Sequence, residues 1–228
     1  MAKNYKLVVI EGVDSSGKET QTRLLFDKLQ SNIGKIEKIE FPNYASSTSA
    51  LVKMYLNGEF GMHADDVNPY AASAFFAVDR VGSIFGDWKE RLDNADVVIA
   101  DRYVTSNMIH QASKIDDYDK KGEFIDWLYD FEYTKLGLPK PDVVIFLDMP
   151  VKNAMELMKN RLNKIDSSEV KDIHESDANY LQKSYDNAVY VAKKYNWNII
   201  SCVKDGTLRT IEDISDEIYE TVRKNLMV

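Results

Sequence analysis

Residues 7–20 read Leu7-Val8-Val9-Ile10-Glu11-Gly12-Val13-Asp14-Ser15-Ser16-Gly17-Lys18-Glu19-Thr20. An apolar run ends in a loop bounded by two glycines, and a helical pattern follows. Glycines let backbone amides turn onto phosphate oxygens, the helix N-terminus adds partial positive charge, and the lysine reaches the terminal phosphates. The stretch therefore predicts a phosphate-binding loop between a strand and a helix, with nucleotide contacts from Gly12, Asp14, Ser15, Ser16, Gly17, Lys18, Glu19 and Thr20.

The loop departs from the general phosphate-loop pattern at one position. That pattern has Ser or Thr directly after the lysine, where the hydroxyl ligates magnesium. Here Glu19 follows Lys18, and Thr20 comes one residue later. One residue rotates a helical side chain by about 100°, so Thr20 does not simply replace the missing hydroxyl.

The rest of the chain alternates short apolar runs with longer helical patterns. The runs predict strands at 7–10, 36–41, 97–100, 143–147 and 197–202; the patterns predict helices at about 18–32, 70–92, 122–136, 151–162, 177–195 and 210–224. Four of the five strands lack polar alternation, which is typical of parallel strands covered on both faces. We expect an α/β fold of the P-loop NTPase type, a doubly wound five-stranded parallel sheet with helices on both faces.

Length and composition favour one domain. The chain has 228 residues, 44% of them apolar, which is enough for one sizeable core. We expect a single domain over residues 1–228. The polar stretch at about 163–176 is interpreted as a mobile lid, with an ordinary surface loop as the alternative.

Charge and cysteine content exclude several classes of protein. A net charge of −8 argues against a broad basic face for nucleic acid or anionic lipid, so we expect neither as a partner. The single cysteine, Cys202, excludes an internal disulfide and a cysteine-based zinc site. No export signal or run of about 20 apolar residues is visible, and we expect a cytoplasmic protein without a membrane segment.

Three arginines are candidates for neutralising charge during phosphoryl transfer, which depends on alignment and electrostatics. They are Arg80, Arg102 and Arg161. Arg102 is the best placed, because it directly follows the strand 97–100 and ligands bind at the carboxyl ends of parallel strands. Asp101 then has the position of a carboxylate that holds magnesium. For Arg80, an ordinary solvated helix position remains the alternative.

Several motifs in order resemble the thymidylate kinase family. They are the phosphate loop with its internal Asp14, the segment Phe41-Pro42-Asn43-Tyr44, the Phe-x-x-Asp-Arg pattern from Phe76 to Arg80, and Asp101-Arg102-Tyr103-Val104-Thr105-Ser106-Asn107. The resemblance runs from the first strand to the last helix. It implies transfer of the γ-phosphate of ATP to dTMP in dTTP biosynthesis, with Mg²⁺ as cofactor, by a homodimer.

The resemblance also implies roles for individual residues. Phe76 would stack on thymine and Asn107 would read the pyrimidine edge. Arg80 and Arg102 would grip the acceptor phosphate, and Asp101 would serve the metal. The remaining acceptor-site candidates are Asp14 and Tyr44 near the sugar and phosphates, Asp172 and Glu175 at the end of the lid, and Phe41, Pro42, Ser106 and His110.

The source of a further catalytic arginine is open. The family supplies one from the phosphate loop or from the lid, but Ser15 and Ser16 occupy the loop here. Residues 163–176 contain no arginine, only Lys164 and Lys171. Arg161, at the start of the lid, is therefore the candidate, and a lysine in its place would act as a point charge rather than a planar fork.

Three other functions remain as alternatives. A GTP-binding switch protein is suggested by Asn163-Lys164-Ile165-Asp166 and Asp119-Lys120-Lys121-Gly122, although neither follows a buried strand. A kinase of another mononucleotide or of a deoxynucleoside would differ only near Phe76, Asn107 and His110. A protein that binds nucleotide without turnover is suggested by Glu19 and the arginine-poor lid.

Overall fold

The computed structural model describes residues 4–32, 34–162 and 178–226, and for residues 160–162 and 178 it describes the backbone only. The predicted lid at 163–176 lies outside the described residues.

The central sheet contains five parallel strands in the order β2-β3-β1-β4-β5. They are β1 (Lys6–Glu11), β2 (Ile36–Glu40), β3 (Val97–Asp101), β4 (Val143–Asp148) and β5 (Asn198–Ser201). β1 pairs with β3 from Lys6↔Val97 to Ile10↔Asp101, and with β4 from Val8↔Val143 to Glu11↔Phe146. The predicted fold class is confirmed, and all five predicted strands are present.

Nine helices accompany the sheet in the part of the chain that the structure describes. They are α1 (Lys18–Gln30), α2 (Ala50–Leu56), α3 (Pro69–Gly82), α4 (Lys89–Asp93), α5 (Val104–His110), α6 (Tyr118–Tyr129), α7 (Val151–Leu162), α8 (Ala178–Lys194) and α9 (Ile211–Leu226).

Helices cover both faces of the sheet. Alternate residues of each inner strand point to opposite faces, so both sets are buried. Val8 and Ile10 of β1 pack with residues of α1 and α9 on one face. Leu7 and Val9 pack with residues of α5, α6 and α8 on the other. The unbroken apolar runs that predicted parallel strands are therefore explained by helices on both sides.

β2 is an edge strand, and it carries charged residues between its buried isoleucines, unlike the apolar inner strands. Ile36 and Ile39 are buried, while Lys38 and Glu40 are exposed. One long side of the strand pairs with β3, and charged side chains on an edge discourage pairing with another chain.

The predicted helix at 70–92 is wrong as a single element. Asn68 caps its start by accepting from the N–H of Tyr70, as the Asn-Pro pair predicts, and α3 then ends at Gly82. A π-helical turn at Ser83–Asp87 separates α3 from α4. Gly82 and Gly86 lie at this break, where their low helix propensity weakens the α-helical continuation.

The predicted helix at 122–136 is displaced. α6 begins at Tyr118, where the side chain of Asp117 accepts from the N–H groups of Asp119 and Lys120, and it ends at Tyr129. A π-helical turn at Asp130–Lys135 follows. The prediction missed the Asp117 cap, which supplies an N-terminal signal.

Three further elements lie outside the predicted ranges. α2 and α5 are short helices, and residues 203–204 and 207–208 form a two-stranded antiparallel hairpin. Its turn residues Asp205 and Gly206 both have positive φ, 51° and 77°. An Asp-Gly pair in this conformation is a common two-residue hairpin turn, so the signal was present in the sequence.

None of the helices in the described ranges has the length and apolar character needed to cross a lipid bilayer.

Burial in the core predicts that alanine substitution at two isoleucines changes the free energy of unfolding by very different amounts. Ile99 is fully buried in β3, whereas Ile211 at the start of α9 is 52% exposed. Ile99→Ala should lower the free energy of unfolding by about 2–5 kcal/mol through lost burial and a residual cavity. Ile211→Ala should change it by less than about 0.5 kcal/mol. Urea unfolding of both variants measures this, and equal losses would contradict the assigned core.

Candidate active site

The loop 12–17 joins β1 to α1 in a tight turn. A side chain at Gly12 would collide with the Ser16 hydroxyl, so the first glycine is required by close packing. Ser15 and Gly17 have left-handed backbones, with φ of 59° and 88°. The buried hydroxyl oxygens of Ser15 and Ser16 have no hydrogen-bond partner among the described residues. Buried polar atoms of this kind call for a ligand or water, and the loop fits a phosphate group.

Lys18 is the first residue of α1 and lies under this loop. Its Nζ donates to the carbonyl oxygen of Val13 at 2.8 Å. Burial, and after it the neighbouring Arg102 cation, lowers the pKa of Lys18 from 10.5 to about 8, against the opposing effect of Asp14. The ammonium group is therefore poorly solvated, which strengthens its attraction for a phosphate anion.

Arg102 lies at the end of β3 between two side chains that hold it. Its Nη2 donates to Oδ1 of Asp14, and its Nη1 lies 3.1 Å from Nε2 of His110. A guanidinium group only donates, so Nε2 of His110 is the acceptor in this contact. Burial alone lowers the pKa of Arg102, but Asp14 and then Asp101 outweigh it and raise that pKa. Arg102 therefore stays charged.

The backbone of Arg102 is also unusual, with a φ of 64°. A residue with a Cβ rarely adopts this left-handed conformation, which costs of order 1–3 kcal/mol. The N–H of Arg102 donates to the carbonyl oxygen of Ile10 at 3.2 Å, so the turn is fixed against the end of β1.

Glu11 connects the phosphate loop to α5. Its carboxylate is fully buried and accepts from Thr105 Oγ1 at 2.6 Å, from Ser106 Oγ at 2.9 Å and from the N–H of Tyr103 at 3.2 Å. Burial raises the pKa of Glu11, and the hydrogen bond from Thr105 opposes that rise. The carboxylate thus fixes the start of α5 relative to the loop, and Ser106, predicted to contact substrate, donates to it.

Asp101 is the carboxylate that the sequence predicts to hold magnesium. Burial raises its pKa, Lys18 and Arg102 oppose that rise, and Glu19 adds to it. Asp101 and Glu19 both line the cavity beside the phosphate loop. Mg²⁺ is commonly held by one or two carboxylates together with substrate phosphates, and these two residues fit that requirement. Within the described ranges, no three His, Cys, Asp or Glu side chains lie close enough together to hold a metal ion without other ligands.

Charge balance supports the same assignment. Around the loop, the four carboxylates of Glu11, Asp14, Glu19 and Asp101 outnumber the cations that the described residues supply, which are Lys18, Arg102 and, with a weaker effect, Lys38. A polyphosphate brought to this surface would meet an excess of negative charge unless a cation came with it. The residues present therefore fit a nucleotide that binds together with a divalent metal.

Two cavities meet at the carboxyl end of the sheet. One, of about 350 Å³, lies over the phosphate loop and is lined by Asp14, Ser15, Gly17, Lys18, Glu19, Thr20, Asp101, Arg102 and Leu157. Gly12 and Ser16, also predicted to bind nucleotide, belong to the loop and lie against each other, but they do not line this cavity. The other, of about 320 Å³, contains every described residue of the predicted acceptor site, namely Asp14, Phe41, Pro42, Tyr44, Phe76, Arg80, Arg102, Ser106, Asn107 and His110.

The far end of the acceptor cavity is built around a buried ion pair. Arg80 donates through Nε and Nη2 to the two carboxylate oxygens of Glu132, each at 2.6 Å, and through Nη1 to the carbonyl oxygen of Tyr103 at 3.5 Å. The Nδ2 of Asn107 also donates to Glu132, at 3.2 Å. The structure thus joins Arg80 to Asn107, whereas Arg102 belongs to the cluster around Asp14.

The segment that contains Phe41 and Pro42 is anchored to α3. The Phe41-Pro42 peptide bond is cis. Asp79 accepts from the N–H of Asn43 at 2.9 Å and from Thr48 Oγ1 at 3.1 Å. Asp79 therefore acts as a support for this wall of the cavity.

Five residues that the sequence analysis considered have no described side chain. Asp172 and Glu175 lie outside the described residues, as do Lys164 and Lys171. Arg161 belongs to the last turn of α7, but only its backbone is described. Their predicted roles stay predictions.

Two site carboxylates were missed by sequence reasoning, and both carried a signal. Glu11 is a charged residue at the end of a buried apolar strand. Glu132 continues the buried stripe of Ile125 and Leu128 at helical spacing, where an apolar side chain is expected. Each is an acidic group at a core position, which requires a partner, but the partners are 94 and 52 residues away at Thr105 and Arg80.

Comparison with known proteins agrees with the geometry. The family model described as Thymidylate kinase matches residues 10–218. A thymidylate kinase from Mycobacterium tuberculosis is 34% identical over 185 residues, covering 81% of this chain and 83% of that protein. A probable thymidylate kinase from Saccharolobus solfataricus is 27% identical, covering 97% and 98%. A Candida albicans thymidylate kinase structure shares the fold, with a TM-score of 0.69 and 23% identity over 99% of this chain and 94% of that one.

The lowered pKa of Lys18 predicts proton uptake when ATP binds. With a pKa of about 8, Lys18 loses charge as the pH rises through 8, and phosphate binding favours the charged form. Calorimetry of ATP–Mg²⁺ binding at pH 8.5, in two buffers of different ionisation enthalpy, should show uptake of a fraction of a proton. Affinity should fall at higher pH.

Lys18→Met should abolish this uptake. Lys193→Met, at an exposed position near the end of α8, should preserve it. Equal uptake by wild type and Lys18→Met would show that another group titrates.

Proposed function

The chain belongs to the thymidylate kinase family, a family of phosphotransferases, and we propose that it transfers the γ-phosphate of ATP to dTMP, giving dTDP and ADP for dTTP biosynthesis. The observation that carries this proposal is the junction between the two cavities. Asp14, Glu19, Asp101 and Arg102 line both of them. A donor phosphate on the loop and an acceptor phosphate in the other cavity would therefore meet at these four residues.

The proposed reaction is a direct transfer between the two nucleotides. An oxygen of the dTMP phosphate attacks the γ-phosphorus of ATP, and the bond from that phosphorus to the β–γ bridging oxygen breaks. ADP leaves with the electron pair of that bond. Such a transfer requires alignment and electrostatic stabilisation rather than a covalent enzyme intermediate, and the loop and Arg102 supply both.

Arg102 is proposed to bind the acceptor phosphate and the transferred group. It is charged, half-buried and held by Asp14 and His110. Its side chain is therefore already close to one geometry before substrates bind. Preorganised donors need no reorganisation as charge develops, which makes them effective in a site with little water.

Lys18 is proposed to contact the terminal phosphates of ATP. Asp101, with Glu19, is proposed to hold Mg²⁺ directly or through water. When bound, the metal would neutralise charge on the phosphates. Glu19 occupies the position of the usual hydroxyl, so a carboxylate would serve where other phosphate loops use Ser or Thr.

The thymine is proposed to lie at the far end of the acceptor cavity, stacked on Phe76 and read by Asn107. Phe76 is held by an edge-on contact with Tyr55, with ring centroids 6.1 Å apart. Arg80 was expected to grip the phosphate together with Arg102. Because Glu132 holds Arg80 beside Asn107, we assign Arg80 to the base instead and leave the phosphate to Arg102.

Several family expectations complete the proposal. Residues 163–176 would act as a lid that ends in Asp172 and Glu175, and Arg161 would supply positive charge from its start. The chain would form a homodimer with one domain per subunit. The cytoplasm is proposed as its location, because the only cysteine is a free buried thiol and such use of cysteine suits a reducing compartment.

The structure argues against the GTP-binding switch alternative. Asp119-Lys120-Lys121-Gly122 lies within the first turns of α6, not at the end of a buried strand. The other two alternatives are a kinase of another nucleotide or nucleoside and a protein that binds nucleotide without turnover. An activity assay distinguishes both from the proposal.

The testing experiment measures ADP release from ATP and Mg²⁺ with dTMP, dUMP, dCMP, AMP, GMP and thymidine offered separately. Turnover with dTMP far above the others is expected. A preference for another acceptor would mean that this acceptor, and not dTMP, is the substrate. No turnover with any acceptor would favour a protein that binds nucleotide without transferring phosphate.

Arg102 gives the sharpest test of the proposed mechanism. Arg102→Ala should lower kcat/KM for dTMP at least 100-fold, because about 2.7 kcal/mol of transition-state stabilisation is lost. Steady-state kinetics measures this, with Arg223→Ala as the control, since Arg223 forms an exposed pair with Glu220 on α9. A loss below 3-fold would refute the role of Arg102.

A further inference from the structure

Glu132 lies behind the acceptor cavity without lining it. Its side chain is fully buried, and so is nearly all of Arg80. A buried carboxylate that binds a guanidinium through both oxygens fixes the plane of that group, because the two parallel hydrogen bonds prevent rotation. The pair uses Nε and Nη2 of Arg80, and Tyr103 takes one N–H of Nη1. Two of the five N–H groups of Arg80 are outside these contacts.

Glu132 also determines which atom Asn107 presents to the cavity. The Nδ2 of Asn107 donates to Oε1 of Glu132 at 3.2 Å and to the carbonyl oxygen of Ser73 at 3.4 Å. Both partners can only accept, so the orientation of the amide follows from its surroundings. Asn107 lines the cavity, and its Oδ1 is therefore the atom left for a ligand.

The resulting pattern is an acceptor from Asn107 next to donors from Arg80. A 4-oxo pyrimidine presents the complement, a donor at N3–H beside an acceptor at O4. A 4-amino pyrimidine presents the reverse, an acceptor at N3 beside a donor at N4. With Glu132 in place, a cytosine ring would face like groups at both positions, and the buried polar groups of the site would be left unpaired.

We propose that Glu132 is the positioning residue that sets selectivity for 4-oxo over 4-amino pyrimidine nucleotides, by holding Arg80 and fixing the amide of Asn107. This inference rests on the proposed function, because it deepens the assignment of the acceptor cavity to a pyrimidine. Glu132 touches no substrate in this proposal; it acts through the two side chains that do.

The test compares dTMP with dCMP for wild type and Glu132→Gln. A glutamine places an N–H against donors of Arg80 or Asn107, so the ordered pattern is lost. The ratio of kcat/KM for dTMP over dCMP should fall at least about 30-fold, since sites that read hydrogen bonds discriminate by factors of this size or larger. KM for ATP, which binds in the other cavity, should stay within about 2-fold of wild type if the change is local.

The controls separate positioning from folding. Glu123→Gln is the same substitution at an exposed position of α6, and it should leave the ratio unchanged. If Glu132→Gln does not fold, Glu132→Asp keeps the buried charge opposite Arg80 but is one methylene shorter. The ratio should still fall for Glu132→Asp, by about 3-fold or more. A ratio within 2-fold of wild type in a folded Glu132 variant would overturn the proposal.

A double-mutant cycle tests whether Glu132 acts through Asn107. In an Asn107→Ala background, Glu132→Gln should change the ratio much less than it does in wild type, because the two residues share one function. Equal effects in both backgrounds would mean that Glu132 acts only on general stability or on Arg80, and would overturn the Asn107 part of the proposal.

Binding measurements keep this test separate from the proposed function. Dissociation constants for dTMP and dCMP, measured by calorimetry without ATP, give a second ratio that needs no turnover. A wild-type protein that prefers dTMP in binding but releases no ADP would contradict the kinase proposal and leave the role of Glu132 testable. A wild type that binds both nucleotides equally would overturn the role of Glu132.

Discussion

The parallel pairing of β1 with β3 is the constraint on which the site depends. The register that brings Ile10 opposite Asp101 makes both strands end at one edge of the sheet. The phosphate loop leaves one strand end and Asp101-Arg102 leaves the other. The buried carboxylate of Glu11 then fixes the start of α5 against the loop. A shift of one residue in this register would turn every core side chain of a strand to the opposite face, so core packing and catalytic geometry are set by the same pairing.

The acceptor cavity contains two arginines, and each of them is paired with a carboxylate. Arg102 is paired with Asp14 and faces the nucleotide loop, and Arg80 is paired with Glu132 beside Asn107. Each pair costs desolvation that its hydrogen bonds must offset, and breaking one would leave an uncompensated charge. In return, both guanidinium groups are fixed before a ligand arrives.

The sequence predicted the five-stranded parallel sheet with helices on both faces and the loop between β1 and α1, because unbroken apolar runs and a Gly-bounded loop are local patterns. It also predicted the ten described acceptor-site residues that line one cavity, through motifs in order. It did not predict the π-helical break after Gly82, or the roles of Glu11 and Glu132. Those roles depend on partners distant in the chain, and only the folded structure shows which acidic residue meets which cation.

Left-handed backbone conformations occur at both Ser15 and Arg102, and each is a conformation that glycine adopts without strain. The protein therefore stores unfavourable energy at the junction of its two cavities. Glycine would relieve this strain at either position, at the cost of a more flexible unfolded chain. At Arg102 it would also remove the guanidinium and break the ion pair with Asp14, so the same residue that strains the backbone holds the charges of the site together.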